Sequence, residues 1–67
     1  MNERDIQRIE AHLRRTFANQ AITLKPRPKQ KDSAEVYIGD EYVANVYDDE
    51  DEDGSFQFVM SILGEDL

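Results

Sequence analysis

Ile6, Ile9, Leu13 and Phe17 recur at intervals of three and four, which places them on one stripe of a helix. Downstream of them the apolar residues alternate with period two: Ile22 and Leu24; Ala34, Val36 and Ile38; Tyr42, Ala44 and Val46; Phe56, Phe58, Met60 and Ile62. The pattern therefore predicts an α+β fold, with one N-terminal helix packed on one face of a four-stranded antiparallel β-meander. The expected helix covers about residues 3–18, and the strands about 21–26, 33–39, 42–48 and 55–63, within one domain of residues 1–67.

Local signals support that order. Asn2 is a good N-cap, Glu3 and Asp5 suit the positive end of the helix dipole, and Arg14 and Arg15 suit the negative end. Asn19 is expected to close the helix in a left-handed conformation. Pro26 and Pro28 cannot donate to a ladder, so the first strand is short or lies at an edge, and residues 28–32 form a polar connector. At Gly39-Asp40-Glu41 a three-residue loop would pair Ile38 with Tyr42 and keep Val36, Ile38, Tyr42, Ala44 and Val46 on one face. A slip of one residue would move that whole set to the other face. The second hairpin turns through an acidic run and Gly54, and residues 64–67 are expected to fray.

The chain has 67 residues and no cysteine. A domain of this size buries about 60% of its unfolded surface, and its core rarely supplies more than ~3–5 kcal/mol. The missing thiols exclude disulfides, thiolate metal sites and cysteine nucleophiles. No apolar stretch approaches the ~20 residues that span a bilayer, and the N-terminus lacks a signal-peptide core, so a cytoplasmic location is expected.

Charge is segregated along the sequence. Residues 1–31 hold all eight cations against three carboxylates, a net of +5, and residues 32–67 hold twelve carboxylates and no cation. The acidic half contains an unbroken run from Asp48 to Asp53. This separation constrains partners and self-association but names no reaction.

Arg27-Pro28-Lys29, the stretch from Asp32 to Glu41, Glu52-Asp53-Gly54, and Phe58, Met60, Ile62 and Leu63 together resemble the short alphaproteobacterial proteins grouped as domain of unknown function 3126. Leu13-Arg14-Arg15-Thr16-Phe17 extends the resemblance to the helix, so it covers nearly the whole chain. The Asp32–Glu41 stretch is the specific part. The resemblance implies a small bacterial cytoplasmic protein and transfers no activity or site.

Asp49-x-Asp51-x-Asp53-Gly54 matches the opening of a calcium loop, since alternating carboxylates and a tight glycine turn can wrap a hard cation. The twelfth position is Met60 instead of a bidentate glutamate, and the flanks read as strands. An EF-hand is excluded, and a weak Ca²⁺ or Mg²⁺ site at Asp49, Asp51 and Asp53 remains as one alternative. A solvated acidic hairpin is the simpler reading.

The sheet face away from the helix is expected to carry Tyr37, Val43, Tyr47 and Val59, with Lys25 and Arg27 on its basic margin. Contiguous exposed apolar surface marks contact sites, and tyrosine is favoured there. Scattered strand-forming residues are the ordinary alternative. Aromatic rings beside cations also suit single-stranded nucleic acid, but the glycine-aromatic motifs of such platforms are absent. Lys25, Arg27, Lys29 and Lys31 sit at alternate positions, which fits gatekeeping of an edge strand or docking to an acidic surface.

His12 is the lone histidine and has no second ligand in the pattern. No nucleophile–base set and no phosphate-cradling glycine loop can be assembled. A domain this small also leaves little room for a ligand cavity of ~300 Å³ or more. The expectation is a non-catalytic module without a cofactor. It binds a protein partner or itself as a homodimer through the open sheet face, while the acidic loop steers basic partners.

Overall fold

The computed structural model describes residues 1–49 and 51–67, without the Lys31 side chain. The helix α1 spans Glu3–Thr16, and the strands are β1 (Ile22–Arg27), β2 (Gln30–Ile38), β3 (Glu41–Asp48) and β4 (Phe56–Val59). A short 3₁₀ turn follows at Gly64–Asp66. The strands lie in the order β1-β2-β3-β4, and each pairs antiparallel with the next. The helix rests on one face, as the periodicity requires.

α1 begins where Asn2 Oδ1 accepts the Asp5 backbone N–H at 2.8 Å, the expected N-cap. It ends in a Schellman arrangement, with Asn19 N–H donating to Arg14 O and Ala18 N–H to Arg15 O. The left-handed residue is Ala18 (φ 51°), not Asn19. Asn19 is used differently, its Oδ1 accepting the Ala21 N–H at 2.9 Å to start β1.

The core joins Ile9 and Leu13 of α1 to Ile22, Leu24, Ala34, Val36, Ala44 and Val46 of the sheet. Ile6 and Phe56 pack at its margin. Ala34 and Ala44 are the small members of this set, and α1 lies mainly over β1. Burying one large aliphatic side chain contributes about 1.5–3 kcal/mol, so this short list accounts for most of the hydrophobic stabilisation.

Polar side chains of α1 also secure an edge of the sheet. Glu10 Oε2 accepts the Leu24 N–H at 3.0 Å, and Arg14 Nε donates to the Ile22 carbonyl at 2.8 Å. The two side chains pair with each other at 3.2 Å. Two outward-facing backbone groups of β1, the Leu24 N–H and the Ile22 carbonyl, which an edge strand would otherwise offer to another chain, are thus satisfied within the molecule. Pro26 on the same edge adds a position with no donor.

Four expectations are corrected. The connector at residues 28–32 is a tight turn at Pro28-Lys29, and β2 starts at Gln30. The ladder absorbs the extra residues in an irregularity: Pro26 pairs with Ala34 but Arg27 with Gln30, and Ser33 Oγ donates to Gln30 Oε1 across it. The next turn has two loop residues, not three. Ile38 pairs with Glu41 around Gly39-Asp40, and Gly39 at φ 60° holds the first turn position that favours glycine.

A bulge then repairs the register. Tyr37 pairs with Tyr42 and Val36 with Ala44, so Val43 is an extra residue in β3. Tyr42 therefore lies beside Tyr37 and not in the core, while Val43 packs against the core and not on the open face. Finally, β4 ends at Val59, not near residue 63. Its next partners on β3 would be Ala44 and then Val43, where the bulge disrupts the ladder. Met60 and Ile62 are consequently exposed, not core residues.

Candidate interaction site

β1, β2 and β3 place Lys25, Tyr37 and Tyr42 together on the sheet face opposite α1. Lys25 Nζ stands 4.3 Å above the centre of the Tyr37 ring. The Tyr42 ring meets Tyr37 edge-on, with centroids 5.8 Å apart and planes at 65°. Both geometries suit the ring quadrupole, which attracts a cation to its face and a ring edge to its side. Tyr42 is about half exposed (49%) and forms the accessible end of the cluster.

Of the face residues expected from sequence, Tyr37 and Tyr47 are half-buried, Lys25 is exposed and Arg27 is half-buried. Val59 is exposed on β4, where it pairs with Asn45. Val43 is absent from the face for the reason given above. Tyr42 replaces it, and no period-two reading could find it, because the bulge reverses the face on which residue 42 falls.

Tyr37 Oη donates to Glu35 Oε1 at 3.4 Å. Its pKa is raised above the ordinary 10.0, first by desolvation, then by the Glu35 charge and hydrogen bond, and last by Tyr42. In the unfolded chain the phenol loses its proton first as pH rises. The contribution is therefore complete below pH 10.0 and disappears as pH climbs through the folded value. Ring NMR of Tyr37 in an alkaline titration is expected to show ionisation above the ordinary value, and Glu35→Gln to move the midpoint back toward it. A midpoint unchanged in that variant contradicts the coupling.

At one end of the sheet the β3–β4 hairpin carries the acidic run. Its loop bends where Asp49 Oδ1 accepts the Asp51 N–H at 3.0 Å and Gly54 takes φ 80°. Asp5, Asp48, Asp49 and Asp53 border a hollow of about 330 Å³ beside Ser55 and Phe56. Among the described residues no three acidic, histidine or cysteine side chains are placed to hold a metal ion, so Asp49, Asp51 and Asp53 are not gathered into a ligand set. Glu50 and the Lys31 side chain, which belong to the acidic and basic patterns, lie outside the described parts.

The face toward α1 has a feature the sequence did not suggest. An open groove of about 740 Å³ runs between α1 and β4, well above the volume expected for so small a chain. Ile9, Leu13, Phe17, Val46, Phe56 and Phe58 supply its apolar lining, while Arg8, His12 and Arg15 line it from the helix. Phe17 and Phe58 meet at 5.7 Å, yet they remain 54% and 39% exposed. His12 Nε2 lies 3.3 Å from Thr16 Oγ1, a contact within the helix.

One protein-family model, described as a protein of unknown function (DUF3126), matches residues 5–66. The chain belongs to that family. The match takes in most of α1, all four strands and the exposed segment after β4 as far as Asp66. The search of curated proteins and the search of solved structures returned no match. For this DUF3126 domain, membership thus supplies no function, and no helix among the described residues is long and apolar enough to cross a membrane.

Proposed function

We propose that this domain is a non-catalytic protein-interaction module that binds a protein partner through the uncovered sheet face. The Lys25–Tyr37–Tyr42 cluster carries the reading: it presents a cation and the accessible Tyr42 ring on the side that α1 leaves free. Such a cluster is preorganised, because each ring is held by its neighbour and Tyr37 is tied to Glu35, so little side-chain freedom is lost on binding. Tyrosine is also enriched at the centre of protein interfaces, with charged groups such as Lys25 kept to the polar rim.

Charge sets the orientation. Lys25 and Arg27 mark the β1 margin of the face, and the acidic hairpin marks the β3–β4 end. The partner surface that fits has carboxylates toward β1 and cations toward the hairpin. The hairpin raises the encounter rate with such a partner in low salt, an effect that fades as ionic strength increases.

Affinity co-purification from the native cell tests the reading, with wild type beside a Tyr37→Ala, Tyr42→Ala variant of matching circular dichroism. Specific partners are expected with wild type and are lost or depleted several-fold with the variant. Recovery of the same proteins at the same level with both baits rejects the face as the contact surface.

A further inference from the structure

The chain also exposes large apolar side chains outside that cluster. Past Val59 the chain leaves the sheet, and Met60, Ile62, Leu63 and Leu67 are 52%, 69%, 51% and 94% exposed. Glu65 and Asp66 follow within the same stretch and are exposed as well. The groove between α1 and β4 is apolar inside and lined on the helix by Arg8 and Arg15, yet lined by none of residues 60–67. The segment and the groove complement each other in hydrophobicity and in charge, but they do not meet within one chain.

We propose that residues 60–67 of a second copy occupy the groove, and that the exchange is reciprocal, giving a two-fold dimer. Met60, Ile62 and Leu63 pack against Phe17, Phe56 and Phe58 of the partner copy, and Glu65 and Asp66 face Arg8 and Arg15. Both cations are available for this. Arg8 makes only a long 3.9 Å pair with Asp5, and Arg15 has no ion pair among the described residues.

Two observations favour a second copy over another occupant. The complementary segment is part of this same chain, so one interaction made twice closes the assembly without leaving a free site. The two edges of the sheet differ: Glu10 and Arg14 occupy the Leu24 N–H and the Ile22 carbonyl on the free edge of β1, whereas β4 has a neighbour only on its β3 side. Self-association is thereby directed to the β4 side. In a two-fold exchange each chain buries surface twice, once as segment and once as groove.

Charge reversal tests the exchange. One chain carries Arg8→Glu and Arg15→Glu; the other carries Glu65→Lys and Asp66→Lys. Sedimentation equilibrium from micromolar to millimolar concentration is expected to show wild-type dimer. Each variant alone should dissociate at least ~tenfold more readily, because attraction becomes like-charge repulsion at both sites. An equimolar mixture should restore a dimer, since each segment then meets a groove of opposite charge. Ile62→Asp should give a monomer with an unchanged circular dichroism spectrum.

A wild type that stays monomeric at millimolar concentration overturns the proposal. So does a mixture that fails to reassociate, or a dimer that both charge variants leave intact. Tyr37→Ala, Tyr42→Ala is expected to keep the dimer, so failure of the sheet-face reading and failure of this one are told apart.

Discussion

Leu13→Ala is expected to leave the domain largely unfolded at 25 °C. Leu13 is 6% exposed and lies in the core between α1 and the sheet. Truncating a buried leucine to alanine typically removes about 2–5 kcal/mol, the spread reflecting how far the site collapses. Little collapse is available here, because two of the eight core residues are Ala34 and Ala44, whose methyl groups cannot reach far into a gap. A core this small rarely provides more than ~3–5 kcal/mol in total, so the loss is comparable with the whole stability. Urea unfolding followed by circular dichroism, at a concentration below any self-association, measures it. A midpoint close to wild type would mean that the helix contributes little to the fold. Phe17→Ala provides the contrast within the same stripe: that side chain is 54% exposed at the groove, and its removal is expected to cost far less.

The contrast between Leu13 and Phe17 also shows what the sequence could reveal. Periodicity identified the helical stripe, the strand order and the inner faces of β1 and β2, because each depends on near neighbours and on a fixed spacing. It placed Phe17 in the core because a stripe carries no information about where the sheet beneath it ends. The bulge at Val43 was hidden for a related reason. Two-residue and three-residue loops at Gly39 differ by one position, and a loop of the first kind followed by one extra residue yields the same inner face for Val36, Ala44 and Val46. The sequence constrains the total count and not where the extra residue sits. Tyr42 and Val43 therefore exchanged faces, and β4 stopped early.

The Glu10–Arg14 clamp on β1 did leave a trace, the four-residue spacing of an acidic and a basic residue on one helix. Their backbone targets, Leu24 and Ile22, lie in another element and could not be read from that spacing. The groove was invisible for the opposite reason: it is defined by what α1 fails to cover.

Asn45→Val is expected to raise stability by about 1–2 kcal/mol, since a buried polar atom left unpaired costs ~1–3 kcal/mol and valine is favoured in strands. Asn45 lies between Glu35 and Val59 in the middle of the sheet, and its Oδ1 is buried without a hydrogen-bond partner among the described residues. Asn45→Asp, nearly the same shape, should do the reverse, because a buried charge opposite Glu35 is both desolvated and repelled. Urea midpoints of the two variants check the pair. A valine variant no more stable than wild type would show that the amide oxygen is satisfied in solution. The gain should have a counterpart on the sheet surface. Asn45 separates Val59 from the Tyr37–Tyr42 pair, and valine there joins them into one apolar strip. Longer exposed apolar strips promote unspecific association. Light scattering at high concentration should therefore rise in the same variant whose midpoint rises. The unpaired amide then has a physical role: it lowers stability, and in exchange it keeps the uncovered face divided, with a compact aromatic cluster on one side and an isolated valine on the other.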